Sequence, residues 1–460
     1  MEFVPTTVLA LLAVLVLLAR PAHRGLWAFM VLTPFGAAAA FNLPVVGGAS
    51  VGVMDVGVLA VFAAVVLSRD GFARFAGSMR PGRPGFCLAL LGVFAIFSAL
   101  AFPQLFAGQT EVFAIARNEN QSRLTLVPLQ LTTGNLTQLF RFSLNVIVFL
   151  AFDAAFRFRP EPKNIVTAIF AATVVHVTLG VVDVTSVLAG FGHLLDSVRT
   201  ANYSMLAGIR LGGLVRMVGG FPEASSFGYY SLGLFGFWLQ YWIVTRDRPA
   251  LLLTLLSAAV LVLSTSSGTF VAAGVFLIVG GVITMLRGLQ VNVSRTAMAL
   301  GTGAGLVVLS AILMLFAGYQ LFDPVTQFLD QVLFDKAASF SAQERASWNT
   351  HGLQNFRETW GMGAGLGSAR ASNWIIANLG SFGLIGTGLY IIFLAAVFKL
   401  PAGTQDLRRN ACINGLKSAC LAMLMSAMLT AATPDLGVFF FALAGLASGL
   451  SRGGEIESRA

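Results

Sequence analysis

The sequence predicts an all-α polytopic membrane protein, and three observations predict it. Hydrophobic residues make up 57% of the 460-residue chain, charged residues only 11%, and the mean hydropathy is +0.81, whereas water-soluble domains carry about 25% charge. The apolar residues gather into runs close to the ~20 residues that cross a hydrocarbon layer as a helix. Arginine and lysine fall in every second connection between those runs, the bias that cytoplasmic loops show.

The apolar runs lie at 4–19, 26–41, 51–67, 86–106, 139–156, 164–191, 222–244, 249–264, 268–286, 296–318, 373–398, 411–431 and 434–450, so about 12–13 transmembrane helices are expected. Short basic connections around Arg24, Arg80, Arg159, Arg246, Arg295, Arg408 and Arg459 are assigned to the cytoplasm. The opposite set, 42–50, 107–138, 192–221, 265–267, 319–372 and 432–433, then faces outward with the N-terminus. In 107–138, polar residues alternate with β-branched ones, which suggests a short hairpin. Within 319–372, Ser341 and Glu344 have capping-box spacing ahead of a helix over 342–360. That helix is amphipathic: Trp348, Phe356 and Trp360 drift round one side, and Ser347, His351, Gln354 and Glu358 share another. The whole of 1–460 reads as one integral membrane domain, with 319–372 as a large external loop within it.

Several classes are set aside. The net charge of +9 reflects cytoplasmic loops and anionic lipid head groups, so nucleic acid is not an expected partner. Cys87, Cys412 and Cys420 sit in or beside apolar runs without metal-ligand spacing and are expected as core residues. The run 4–18 lacks a basic flank and a small-residue cleavage site, and reads as a first span instead of a signal peptide. GMGAGLGSARASN (361–373) follows a helix and has no Walker lysine, so it reads as flexible backbone returning to the membrane and not as a nucleotide loop. No internal repeat is visible.

Polar chemistry concentrates in RLGGLVRMVGGFPEASSFG (210–228), set between two apolar runs. Long external loops escape the positive-inside rule, so Arg117, Arg123, Arg199 and Arg357 are expected on solvated surface. Arg210, Arg216, Arg345 and Arg370 differ, each lying near a membrane re-entry or beside glycine. A guanidinium grips phosphate oxygens through two parallel hydrogen bonds, and several together hold a pyrophosphate and stabilise it as it leaves. Glu223, after Phe221-Pro222, has two readings. It marks a helix start, where proline and an acidic residue suit the first turn, or it acts as a base on a hydroxyl or orients Arg216. His351 likewise is either structural or a base. Asp183 is costly in lipid and should face protein or water, and Asp55 and Asp435 sit at outer ends where one cavity can contain both. STSSGTF (264–270) is a tight external turn or a hydroxyl-lined cavity floor.

Three features in order, RMVGGFPEASSFG (216–228), the STSSG break and GMGAGLGSARASNWIIANLGSFGLIG (361–386), resemble the O-antigen polymerase and O-antigen ligase family, more closely its exopolysaccharide polymerases. The resemblance covers roughly residues 139–450. It implies a multi-pass protein of the bacterial inner membrane with a roofed cavity on the periplasmic face, and undecaprenyl-diphosphate-linked oligosaccharides as substrates. It implies no cofactor, nucleotide sugar or metal at the site, and chain-length regulator and flippase proteins as partners besides membrane lipid. Arg216 and Glu223 correspond to the first motif; Arg345, His351 and Arg370 correspond only as residues of the large loop. Many members carry an arginine where this chain has Ser266 and Ser267, and many ligases a histidine where it has Ser372 and Asn373. The second departure favours a polymerase of lipid-linked repeat units over a ligase that moves finished glycan to lipid A core or another acceptor. A transporter of polysaccharide or lipid-linked sugar, the rival of another class, would show inverted repeats and paired charges deep in the spans, and the sequence shows neither.

Overall fold

A computed structural model describes residues 1–43, 49–118, 121–202, 205–211, 214–290, 340–402 and 406–453. The apolar run 296–318 and the first part of the large loop, 319–339, lie outside the described residues, as do the side chains of Arg117 and Arg123. The described chain folds into 14 α-helices with only small sheets, and it is an all-α polytopic membrane protein.

The helices follow the apolar runs: α1 (Thr6–Ala19), α2 (Ala22–Leu32), α3 (Val53–Val66), α4 (Gly71–Gly77), α5 (Pro84–Leu105), α6 (Thr133–Phe158), α7 (Pro162–Leu188), α8 (Ala224–Thr245), α9 (Arg248–Leu263), α10 (Ser267–Gln290), α11 (Phe340–Glu358), α12 (Trp374–Phe398), α13 (Leu407–Thr430) and α14 (Gly437–Arg452). Proline opens α5 and α7 at the first helical turn, where its missing N–H leaves no bond unmade. Asn373 and Asp406 cap α12 and α13 through side-chain oxygens. Five helices (α5, α6, α7, α12 and α13) are long and apolar enough to cross a membrane alone, six if α3 and α4, bent by 111°, form one span.

Several expected spans are shorter than the sequence suggests. The run 26–41 stops as a helix at Leu32 and continues after Pro34 as strand β2 (Ala39–Leu43), which pairs antiparallel with β1 (Glu2–Phe3) and β3 (Ala49–Gly52). Proline removes the N–H that would continue the helix. The 16-residue α14 is buried on every side from Val438 to Leu450. An all-round apolar helix belongs in a core, and its Gly445 and Gly449 lie against the α6 backbone, the close approach that small residues permit in membranes.

The two sets of connections segregate to opposite ends of the helix array. At one end, Arg157 Nη2 donates to the Arg74 carbonyl at 2.8 Å, Arg452 Nη2 to that of Gly82 at 2.9 Å, and Asn164 Nδ2 to that of His23 at 3.1 Å. At the other end, the Ala37 N–H donates to Gly220 (2.8 Å), the Met217 N–H to Leu263 (3.1 Å) and the Ala371 N–H to Ala432 (3.2 Å). The hairpin expected in 107–138 forms there as β4 (Glu111–Asn118) and β5 (Gln121–Pro128). It is tied to α11 by Asn355 Nδ2, which donates to Thr110 Oγ1 at 2.8 Å and to the Glu111 carbonyl at 2.6 Å.

The glycine-rich 361–373 is packed and not slack, contrary to its reading as flexible backbone. Residues 363–366 are buried and run between α5, α6 and α12. The Ala364 N–H donates to Gly380, the Leu366 N–H to Ser98 Oγ, and Asn135 Nδ2 to the Leu366 carbonyl. Non-helical backbone survives at membrane depth only where protein satisfies its polar groups. Where this segment crosses α12, Gly383 takes φ +61° and kinks the helix.

Candidate functional site

The motif 216–228 is held from below by a buried ion pair that joins a helix to a loop. Asp183 of α7 pairs with Arg199 Nη2, both side chains 3% exposed. The other carboxylate oxygen accepts the N–H groups of Val218 (2.8 Å) and Gly219 (3.0 Å), and Arg199 Nε and Nη2 donate to the Gly219 carbonyl at 2.9 and 2.6 Å. Asp183 thus faces protein as expected, whereas Arg199 is buried, contrary to its assignment to solvated surface. Its partner lies on another element, so neither residue's neighbours in sequence reveal the pair. A second buried pair, Arg157 with Asp153 at 3.2 Å in α6, has legible i,i+4 spacing. The expectation of no paired charges in the spans is corrected by both. Each sits near the end of its helix and holds a connection: Arg157 binds the Arg74 carbonyl and Arg199 that of Gly219.

Backbone fit explains the motif's glycines. Gly219 has φ +55°, a left-handed conformation that glycine adopts without steric cost, and a Cβ on Gly220 would stand 2.5 Å from the Pro34 carbonyl oxygen. Phe221 then packs against Phe227, Tyr230 and the buried His176, whose Nε2 meets Ser231 Oγ at 2.7 Å. The STSSG break is a tight turn. Ser264, Thr265 and Ser266 are buried between α9 and α10, and Ser264 Oγ donates to its own helix at the Leu261 carbonyl, 2.6 Å away. It packs beneath Gly228, where a Cβ would meet Thr269 Oγ1 at 2.6 Å.

On this base stand three arginines from separate segments. Arg216 follows β7 (Leu214–Val215), Arg345 lies on α11, and Arg370 precedes α12. All three are half-buried. Burial lowers the pKa of Arg216 from its usual value; Glu223 opposes that shift and Arg345 adds to it. Burial lowers that of Arg370 too, opposed by Glu344 and Glu223. Glu223 thus lies within electrostatic reach of both Arg216 and Arg370, Arg345 within reach of Arg216, and Glu344 within reach of Arg370. None of the three arginines forms an ion pair among the described residues. The Nε groups of Arg216 and Arg370 are buried and hydrogen-bond to no described protein atom. An unpaired buried donor costs about 1–3 kcal/mol, so the arrangement is poised for an acceptor that the protein itself does not supply. Arg370 is fixed by Trp348, whose ring lies 4.5 Å from the guanidinium carbon, and by its neighbour Ser372, whose N–H donates to Asn349 Oδ1 at 2.8 Å.

Glu223 occupies the N-cap position of α8 with extended backbone, and its side chain caps no N–H. Its carboxylate instead accepts from the Ser225 hydroxyl and, at 3.5 Å, from that of Ser226. It is at once the helix start and a member of the charged group.

The other two candidates stand apart. Arg210 lies exposed in the small hairpin of β6 (Arg210–Leu211) and β7, opposite Val215. His351 faces the β4–β5 hairpin: its ring packs edge-on to Phe113 at 4.9 Å, and Nδ1 meets the Ser347 carbonyl at 2.9 Å. That bond fixes the tautomer with the lone pair on Nε2. Phe340 and Ser341 are both already helical, so Ser341 lies within α11 and not ahead of it as a cap. Sequence reasoning missed Glu344 and Trp348 as members of the site and Asp183 and Arg199 as its supports. Two gave a signal: Trp348 as an aromatic on an amphipathic helix, and Asp183 as a charge within an apolar run.

The arrangement suits a compact polyanion: three guanidinium groups and two carboxylates leave one net positive charge, and two of the Nε donors are unbonded. The described residues hold no group of three metal-ligating side chains. Asp55 and Asp435 do line a common cavity. In comparisons with known proteins, no protein-family model and no curated protein matches this chain.

Proposed function

We propose that this protein is a polymerase of undecaprenyl-diphosphate-linked oligosaccharide repeat units, acting on the periplasmic face of a bacterial inner membrane to build a surface or exopolysaccharide. The observation that carries the reading is the pair of buried, unpartnered guanidinium Nε groups of Arg216 and Arg370, both within electrostatic reach of Glu223. Such a cluster, at the end of an apolar helix array, suits a diphosphate whose lipid tail stays in the membrane. The order of motifs along the chain supports the same reading, and the positive-inside bias supports its sidedness.

In this mechanism Arg216, Arg345 and Arg370 hold the donor diphosphate. An acceptor sugar hydroxyl attacks the donor's anomeric carbon. The bond from that carbon to the diphosphate oxygen breaks, and undecaprenyl diphosphate leaves with the bonding electrons. Glu223, oriented by Ser225 and Ser226, takes the hydroxyl proton. Stabilising the leaving charge is the arginines' largest contribution.

Deletion of the gene followed by sizing of lipid-linked and surface glycan tests this. Single lipid-linked units accumulate if the protein is a polymerase, and long lipid-linked chains if it is a ligase. Unchanged glycans with altered solute uptake reject both. Arg216→Ala and Glu223→Gln reproduce the deletion at normal protein level.

A further inference from the structure

We propose that the cavity beside the arginine cluster is a subsite for one neutral, hydroxyl-rich ring, the sugar of the acceptor; this identification of the ring as acceptor rests on the reading above. The cavity has a volume of about 160 Å³ and is lined among others by Ser50, Asp55, Arg141 and Asp435, with Phe35 and Met54 as apolar wall. Pockets that enclose whole drug-sized ligands run to roughly 300–1,000 Å³. This one suits a single ring of something larger.

Its polar groups are half-used. Asp55 Oδ2 accepts the Gly52 N–H at 2.8 Å, and Asp435 Oδ1 accepts Asn145 Nδ2 and the Gly437 N–H, both at 2.6 Å. Each carboxylate is thereby fixed through one oxygen while the other has no hydrogen bond among the described residues. Arg141, exposed on α6, forms no ion pair there either. The charges choose the ligand. A metal cation would meet the guanidinium, and a phosphate would meet two carboxylates. A ring hydroxyl both donates and accepts, so adjacent hydroxyls bridge carboxylate and guanidinium without leaving a charge opposed. The apolar wall offers a surface for the C–H face of such a ring.

Chain contacts also connect the cavity to the arginine segments. Gly36 lines it and lies beneath Phe221, two residues before Glu223. Asp435 lies three residues beyond Ala432, whose carbonyl holds the Ala371 N–H next to Arg370. A ring seated here belongs to a molecule whose other end reaches the diphosphate site.

The test uses the purified full-length protein in detergent micelles and, as probe, the host's own surface polysaccharide cut by mild acid to single repeat units. Saturation transfer from protein to the probe's ring protons is expected, with affinity about tenfold weaker in Arg141→Gln and in Asp435→Asn, the scale of one lost charge-assisted hydrogen bond. Arg69→Gln at the opposite end binds as wild type. Arg141→Gln removes an exposed side chain, so it answers even where Asp435→Asn fails to fold. No saturation transfer, or full affinity in Arg141→Gln, overturns the proposal. Failure of the parent reading looks different: the fragment then binds through Arg141 while gene deletion leaves glycan length unchanged.

Discussion

Replacing Asp183 by asparagine is the most exacting perturbation of this architecture, because one carboxylate holds a charge and two backbone donors together. In Asp183→Asn the amide keeps one acceptor oxygen for the Val218 and Gly219 N–H groups now bound at 2.8 and 3.0 Å. Arg199, its side chain 3% exposed, loses its counter-charge. Breaking a buried pair from one side costs about 3–5 kcal/mol, since the surviving charge stays desolvated. Arg199→Met should cost a similar amount by stranding Asp183 and the Gly219 carbonyl. If the pair is one unit, the double variant costs clearly less than the sum, with a coupling of roughly 2 kcal/mol or more. Equilibrium unfolding of the four proteins in mixed detergent micelles gives this cycle. Single-variant losses under about 1 kcal/mol, or strict additivity, would refute the clamp. A clamp also predicts that either single variant weakens diphosphate binding, although neither residue touches the arginine cluster.

Further outcomes follow from the same geometry. Arg216→Lys and Arg370→Lys should bind undecaprenyl diphosphate about 10–100-fold more weakly than wild type in a purified-protein binding assay, because an ammonium lacks the two parallel donors. Gly220→Ala should lower the yield of folded protein in size-exclusion chromatography, since its Cβ would stand 2.5 Å from the rigid Pro34 carbonyl. Asn135→Ala should destabilise the protein by about 1–3 kcal/mol in the same unfolding assay. It removes 2.8 Å bonds to both the Leu366 carbonyl and Ser368 Oγ beneath the glycine segment. Trp348→Ala should leave the protein folded but weaken diphosphate binding several-fold, because it removes the ring on which Arg370 rests.

Composition and spacing sufficed for the class of protein and for which connections group together at each end. Those features are local or periodic: hydropathy sets where helices form, and alternating charge sorts the connections between them. The sequence also singled out Arg216, Glu223, Arg345 and Arg370, because charge stands out in an apolar chain. Helix length was less legible, as at 26–41, where one proline turns an apolar run from helix to strand. Tertiary structure alone decided which charges share a space and which do not. Arg199 looks like loop surface until Asp183 of another helix meets it, and His351 packs against Phe113 of the β4–β5 hairpin, apart from the arginines. Glu344 stood out only as half of a capping box, and Arg141 carried no distinguishing pattern of its own. Pair energies depend on separation and on the water between groups, and a chain of symbols encodes neither until it folds.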